Sequence, residues 1–358
     1  MLNDIDLMKE TFKLAKKAEG AVSPNPLVGA VIVKNGRILS RGFHRRAGLA
    51  HAEIEAIKKV KEDITGSTLY INLEPCCHYG RTPPCIEQII ARKIKKVIIA
   101  TKDPNPQVEG KSIRKLKSAG IEVKVGILGR EAEQLNEIFF KNMKENKPFI
   151  VAKIAQSLDG KITTSDGISK WITTASSRKF AKGLRDRYDG ILIGSNTFIK
   201  DNPRLRGVKK DPLKIIISPE LIVPSNSFIL KEVPDKLVIF SSEKSKQKSK
   251  KIPSSVRIFF LKDNKGELPL RNILKICYQL GIMSIFVEGG SETLGRFFFS
   301  KLIDKAYFFI SPKIIGGRNA LTSVGAKGFS HPKLAPFIKD IKINRIKEDI
   351  IISGYPCY

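Results

Sequence analysis

His51-Ala52-Glu53, Pro75-Cys76 and Cys85 are the residues whose types and spacing most directly suggest chemistry. His51 opens a stretch whose apolar residues, Ala56, Ile57 and Val60, recur at helical spacing. Cys76 follows a strand pattern at 68–73, and Cys85 arrives as the next helical pattern begins. Three nitrogen and sulfur ligands from such positions can converge on one zinc ion per chain. They leave its fourth tetrahedral position open, which distinguishes catalytic from structural zinc. Zinc in that setting lowers the pKa of water toward neutrality. Glu53 can then take the water's proton and hand it to a leaving amine as general acid/base. Positions i and i+2 lie about 200° apart on a helix, so the motif has to straddle the first turn, with His51 not yet helical. A His beside a Glu is by itself usually incidental, and Pro-flanked cysteines can be buried thiols. The ordered set carries the signal. Cys77 is read as a bystander.

The surrounding elements must bring these residues together. Residues 1–147 alternate helix and strand patterns: a helix over 3–19, a hairpin of strands 27–33 and 37–43 turning at Asn35-Gly36, and a helix from His51. After the strand at 68–73 comes a helix carrying Ile86, Ile89, Ile90 and Ile94. A strand at 97–100, a helix ending near Gly120, a strand at 121–125 and a helix over 131–144 complete the half. The polar run Lys144-Glu145-Asn146-Lys147 before Pro148 marks a domain boundary. Beyond it a second α/β series is predicted: strand 149–155, helix 174–187, strands 190–194, 213–217 and 236–240, helix 269–280, strand 284–288, helix 291–300, then strands.

A length of 358 residues suits two domains, and 42% hydrophobic with 28% charged residues is ordinary globular composition. No segment is long and apolar enough to span a membrane, and the first ten residues lack the order of a signal peptide, so a cytoplasmic location and no membrane partner are expected. Five cysteines, odd in number and clustered, make a poor disulfide framework and a better metal site. The net charge of +29 can mark a nucleic-acid binder. The basic residues are scattered, however, and the densest run, 241–251, lacks interleaved aromatics and reads as a solvated loop. A general enrichment in lysine along the chain, together with attraction for a small phosphorylated substrate and with no nucleic-acid partner, fits better. Self-association into a homo-oligomer is left open.

The order H-x-E, then P-C, then a second Cys matches the zinc-deaminase signature. Eight residues separate Cys76 from Cys85. With Pro24-Asn25-Pro26-Leu27-Val28-Gly29 and Gly42-Phe43-His44 upstream, that C-x8-C segment resembles the bifunctional riboflavin-biosynthesis family, a pyrimidine deaminase fused to a reductase. The resemblance covers nearly the whole chain. It implies a cytidine-deaminase-like three-layer α/β domain at 1–147 and a dihydrofolate-reductase-like α/β domain at 148–358. The substrate implied is a diaminopyrimidinone carrying a phosphoribosylamino group, which loses ammonia at C2. Asn25, His44 and His78 are implied to line the base pocket.

In the second half no G-x-G-x-x-G follows a predicted strand, so a Rossmann domain is not indicated. Gly289-Gly290, between a strand and a helix, is either a plain tight turn or an approach for an anion at the helix start. Trp171, the single tryptophan, is either a core residue or a face for a cofactor ring. The segments 155–161, 169–173, 194–197, 201–205 and 287–290 are similar to the family's reductase half, which uses NADPH. That match implies dinucleotide contacts from Ala155, Trp171, Thr197, Asp201 and the turn of Gly290, Ser291, Glu292, Thr293, Leu294, Gly295 and Arg296. It implies substrate contacts from Lys153, Ser169, Arg185, Leu205 and Glu288. Arg185 and Lys153 suit a phosphate physically. Many members follow Leu205 with Thr-Val-Arg; here Arg206-Gly207-Val208 stands there, leaving open whether Arg206 or a later Lys replaces that arginine. The resemblance implies reduction of the ribosyl chain to ribityl after deamination. Two other readings stand beside it: a nucleic-acid base deaminase with a basic C-terminal binding domain, and a structural zinc module with Cys77 or His78 as fourth ligand.

Overall fold

Asn3 caps the first helix by accepting from the Asp6 amide at 2.9 Å, with acids in its first turn and Lys13 and Lys16 in its last. This helix, α1 (Asp4–Lys16), buries Leu7, Met8, Thr11, Leu14 and Ala15 and ends sooner than the apolar pattern suggests. The computed structural model describes residues 3–79 and 83–358. It divides into two compact units, 1–146 and 147–358.

In the first unit β1 (Gly29–Lys34) and β2 (Arg37–Phe43) form the expected hairpin. After them come α2 (Ala52–Lys59), β3 (Thr68–Leu73), α3 (Cys85–Ala91), β4 (Lys96–Thr101), α4 (Lys111–Ser118), β5 (Glu122–Val125), α5 (Gly129–Leu135) and α6 (Glu137–Glu145). The single helix expected over 131–144 is broken at Asn136 into α5 and α6. Strand order is β2-β1-β3-β4-β5, with β3, β4 and β5 parallel. Alternate residues of β1 and β3 pack on opposite faces: Ala30, Ile32, Leu69 and Ile71 against α2, α3 and α4, and Val31, Val33 and Tyr70 against α1 and α5. Both faces are covered, which gives three layers and explains why these strands read as nearly continuous apolar runs.

Gly42 seats α2. A Cβ there would overlap the Ala52 carbonyl and the Ala56 amide, so only glycine lets this helix lie so close to β2. Gly42→Ala is expected to destabilise the protein by about 1–3 kcal/mol, the usual cost of overpacking. Urea unfolding reads this as a lower midpoint with an unchanged slope. An unchanged midpoint would show that α2 shifts freely.

The second unit contains β6 (Phe149–Ser157), α7 (Ala175–Leu184), β7 (Gly190–Gly194), α8 (Ser195–Asp201), β8 (Leu213–Ile217), α9 (Phe228–Glu232), β9 (Leu237–Ser242), β10 (Arg257–Leu261), α10 (Leu270–Gln279), β11 (Ser284–Val287), α11 (Ser291–Phe299), β12 (Lys305–Ser311), β13 (Phe337–Ile346) and β14 (Asp349–Cys357). Short elements α8, α9 and β10 escape the sequence reading. The basic run at 243–251 is a 3-10 helix with Ser245 buried, not a plain solvated loop.

The sheet order is β10-β9-β8-β7-β11-β6-β12-β14-β13, parallel from β10 to β12 and antiparallel at β14 and β13. α11 packs on one face through Leu294, Phe297 and Phe298, and α8 on the other through Phe198. Neighbours β7 and β11 therefore send their chains in opposite directions over opposite faces. Such a reversal opens a crevice at the carboxyl ends of the strands, where ligands bind in open α/β sheets.

Candidate active sites

His51 is the N-cap of α2, with extended backbone (φ −73°, ψ 165°). It stands outside the helical rise, so the geometry that would separate i from i+2 does not apply. Cys76 lies in the loop after β3, and Cys85 is the buried first residue of α3. His51 Nδ1 lies 3.2 Å from Cys85 Sγ and 3.5 Å from Cys76 Sγ, and all three donor atoms fall within 4.8 Å of one another. Tetrahedral zinc bonds of about 2.0–2.1 Å to nitrogen and about 2.3 Å to sulfur require donor separations near 3.6 Å. The cluster fits the ion. The Cys76 thiol is pulled down to about 4 by the neighbouring Cys85 thiol and by His51, while Cys85 is pushed up.

Glu53, in the first turn of α2, is 2% exposed. Burial raises its carboxyl to about 7, against the pull of His51, and it hydrogen-bonds Cys85. His44 is buried beside His51, with ring centroids 5.3 Å apart edge-on. Its Nδ1 faces the Ala50 carbonyl at 3.1 Å and its Nε2 faces Asn25 Nδ2 at 3.0 Å. Asn25 can donate only to an unprotonated Nε2, and burial lowers the His44 pKa, which favours that neutral tautomer. His78 has its Nδ1 buried without a hydrogen-bond partner among the described residues. Gly80, Arg81 and Thr82 of the C-x8-C segment lie outside the described residues.

Cys77 belongs to the hydrophobic core and its thiol donates to the Gln107 carbonyl at 3.7 Å. Neither it nor His78 joins the metal cluster found among the described residues, so the structural-zinc reading lacks its fourth ligand. Sequence reading missed two buried acids just beyond the carboxyl ends of the adjacent strands β3 and β4. Glu74 accepts from the amides of Asp103, Gly110 and Ile113 at 3.3, 2.9 and 3.3 Å, pinning the loop after β4. Asp103 is raised to about 7 by burial and by Glu74 and Cys76. The only signal was their position at the ends of β3 and β4.

In the second unit the register of β6 and β11 puts Lys153 and Glu288 on one face. Glu288 receives Arg185 Nε at 2.5 Å and Nη2 at 3.0 Å, with Lys153 Nζ at 4.0 Å. Burial lowers Lys153; for Glu288, Arg185 and Lys153 outweigh burial and hold the carboxyl down. Arg185 is thus engaged by a carboxylate, a pairing that its assignment to a phosphate did not anticipate. Trp171 is 62% exposed, which rules out the core reading. The Arg178 guanidinium lies 4.3 Å from its ring centroid, and Lys313 Nζ donates to its carbonyl at 2.8 Å. Ser169 is exposed, Ala155 is half-buried near the end of β6, and Leu205 is buried with a φ of 49°.

At the β7/β11 reversal the starts of α8 and α11 meet. A Cβ on Gly194 or Gly289 would crowd Thr293, and one on Gly290 would lie 3.5 Å from Thr197 Oγ1. Both helices have a glycine N-cap with extended backbone and no side-chain cap. The remaining dinucleotide candidates are more dispersed. Asp201 closes α8, about 9 Å along the axis from its start. Ser291 and Glu292 are in the first turn of α11, while Leu294 is core and Gly295 packs on Gly325. Arg296 bonds Leu268 O at 2.7 Å and pairs with Glu267 at 3.5 Å.

A zinc-binding deaminase unit followed by a reductase unit is the class of protein that these folds and sites define. Residues 1–101 match the cytidine and deoxycytidylate deaminase zinc-binding region, and residues 148–352 match the RibD C-terminal domain. The riboflavin biosynthesis protein RibD of Aquifex aeolicus is 41% identical over 98% of this chain and 99% of its own. RibD of Acinetobacter baumannii superposes with a TM-score of 0.88 at 31% identity, covering 99% of both chains. The diaminohydroxyphosphoribosylaminopyrimidine deaminase/5-amino-6-(5-phosphoribosylamino)uracil reductase of Thermotoga maritima does so with 0.88 at 35% identity and 99% coverage of both. The chain belongs to the RibD family: it is a bifunctional deaminase and pyrimidine reductase of riboflavin biosynthesis. The first unit is a cytidine-deaminase-like domain and the second a dihydrofolate-reductase-like one, whose reductase character implies a nicotinamide cofactor. No helix among the described residues is long and apolar enough to cross a membrane.

Proposed function

We propose that residues 1–147 deaminate 2,5-diamino-6-(5-phosphoribosylamino)pyrimidin-4(3H)-one. On this reading residues 148–358 then reduce the product, 5-amino-6-(5-phosphoribosylamino)uracil, to 5-amino-6-(5-phosphoribitylamino)uracil with NADPH. The observation that carries the reading is the meeting of the His51, Cys76 and Cys85 donor atoms beside buried Glu53. His51, Cys76 and Cys85 would hold one zinc ion per chain, which supplies Lewis-acid activation of water. Glu53 accepts the proton that water gives up as its oxygen bonds to C2, and delivers it to the amine as the C2–N bond breaks and ammonia leaves. A carboxyl raised by burial suits both halves of that transfer near neutral pH. Asn25, His44 and His78 border the base.

In the second unit the paired starts of α8 and α11, with Thr197, Gly290 and Thr293, offer backbone amides to a pyrophosphate. Ala155 and the open face of Trp171 would contact the dinucleotide, whose nicotinamide supplies hydride. Asp201 and Ser291 to Arg296 complete the dinucleotide set, and Lys153, Ser169, Arg185, Leu205 and Glu288 the substrate set. NADPH is favoured over NADH because a basic domain without an acidic ribose clamp suits an extra phosphate.

Mass spectrometry of products formed from the diaminopyrimidinone phosphate tests this. Without cofactor the deaminated ribosylamino compound and ammonia should accumulate; with NADPH the ribitylamino compound should replace them, and NADH should serve far less well. No ammonia release would remove the deamination step, and equal use of NADH would overturn the cofactor assignment.

A further inference from the structure

The ladder between β1 and β3 stops at Ala30 and Ile71, and beyond it two side-chain amides hold the chain. Asn72, the next residue of β3, accepts from the Gly29 amide at 2.8 Å and donates to the Leu27 carbonyl at 2.8 Å. Asn136 meets Leu27 as a neighbouring peptide group would. Its Oδ1 accepts from the Leu27 amide at 2.7 Å, and its Nδ2 donates to the Leu27 carbonyl at 3.0 Å. Both asparagines are buried. Asn136 stands at the break between α5 and α6, 109 residues from Leu27 in the chain.

Buried peptide groups need partners, and an amide side chain offers a donor and an acceptor from one planar group. Placed between two backbones, it also spaces the 27–29 stretch off β3 by its own length. The other sides of this stretch are fixed as well. The Val28 carbonyl accepts from the His44 amide at 2.9 Å. A Cβ on Gly29 would overlap the Thr11 carbonyl, so α1 lies directly against it. Asn25, two residues before Leu27, meets His44 Nε2 at 3.0 Å. Neither Asn72 nor Asn136 belongs to the metal cluster of His51, Cys76 and Cys85.

Resting on the deaminase reading above, we propose that Asn136 and Asn72 are positioning residues of the deaminase. Their amides set the backbone at 27–29 and thereby the place where Asn25 meets the pyrimidine, while they themselves touch neither substrate nor metal.

The test compares deamination of 2,5-diamino-6-(5-phosphoribosylamino)pyrimidin-4(3H)-one by the parent, Asn136→Ala, Asn25→Ala and the double variant. Zinc content and reductase activity are read in the same samples. Asn136→Ala should raise KM about 10- to 100-fold, as expected when buried hydrogen-bonding groups lose their partner, with kcat changed far less. Zinc and reductase activity should stay at the parent level. In the Asn25→Ala background the same change should raise KM less than about 3-fold further, because its effect runs through Asn25. A general loosening of the unit would multiply the two effects instead. Asn136→Gln keeps the amide but sets it one methylene further out; it should also raise KM, and it is the variant to read if Asn136→Ala does not fold. Parent-like KM in the Asn136 variants, or full multiplication in the double variant, would overturn the positioning role. Parent-like KM in Asn25→Ala would overturn the base-pocket reading, and a parent protein that releases no ammonia would overturn the deaminase reading.

Discussion

Glu53→Gln is expected to slow deamination by at least about 10²- to 10⁴-fold, the usual worth of a positioned general acid/base. Glutamine keeps the size and hydrogen-bonding reach of the side chain but cannot carry a proton back and forth. Glu53 is assigned no place in the metal cluster, so zinc content should be unchanged. The buried, uncharged amide should also be tolerated by the fold, because burial already disfavours the charged carboxylate. The reductase unit has its own two cores and should reduce the deaminated intermediate at the parent rate. Both steps are assayed separately on the variant, with zinc measured in the same sample. Intact deaminase activity would remove Glu53 from the mechanism, and a reductase that collapses alongside would show that the two units are not independent.

Zinc is expected near one equivalent per chain in the purified protein. His51→Ala, Cys76→Ser and Cys85→Ser should each lose it, and deaminase activity with it. Three protein donors form the cluster among the described residues, so removing any one leaves two. Cys77→Ser should retain both metal and activity, since that thiol bonds the Gln107 carbonyl from within the core. Elemental analysis of the four variants, with circular dichroism as a check on folding, decides the matter. Zinc loss from Cys77→Ser equal to that from Cys76→Ser would point to a closed structural site.

The deaminase half was the more legible from sequence. Its chemistry sits at the ends of regular elements, so His51, Glu53, Cys76 and Cys85 could be placed from local periodicity, and the hairpin at Asn35-Gly36 from turn chemistry. Helix ends were less legible. α1 stops at Lys16 although apolar residues continue to Ala18, and α5 and α6 share a stretch that reads as one helix. Short elements such as α8, α9 and β10 span too few residues for a period to show.

Residue types and order by themselves singled out His51, Cys76 and Cys85, which gather into one cluster, and Glu53, buried beside them, together with the two α/β halves and the central strands that read as apolar runs. These are local properties, carried by neighbours in the chain. Tertiary structure alone decided that Arg185 is clamped by Glu288, that Asp186 fastens the loop of Arg206, that Asp103 is buried beside Glu74, and that Trp171 stands exposed under Arg178. It also decided that the chain reverses between β7 and β11, where the starts of α8 and α11 meet. In the clamp and the fastened loop the partners are far apart in sequence, and charged residues at such positions look the same whether solvated or paired. Only strand order and register bring one carboxylate within reach of a particular guanidinium, and no periodicity in the chain encodes that meeting.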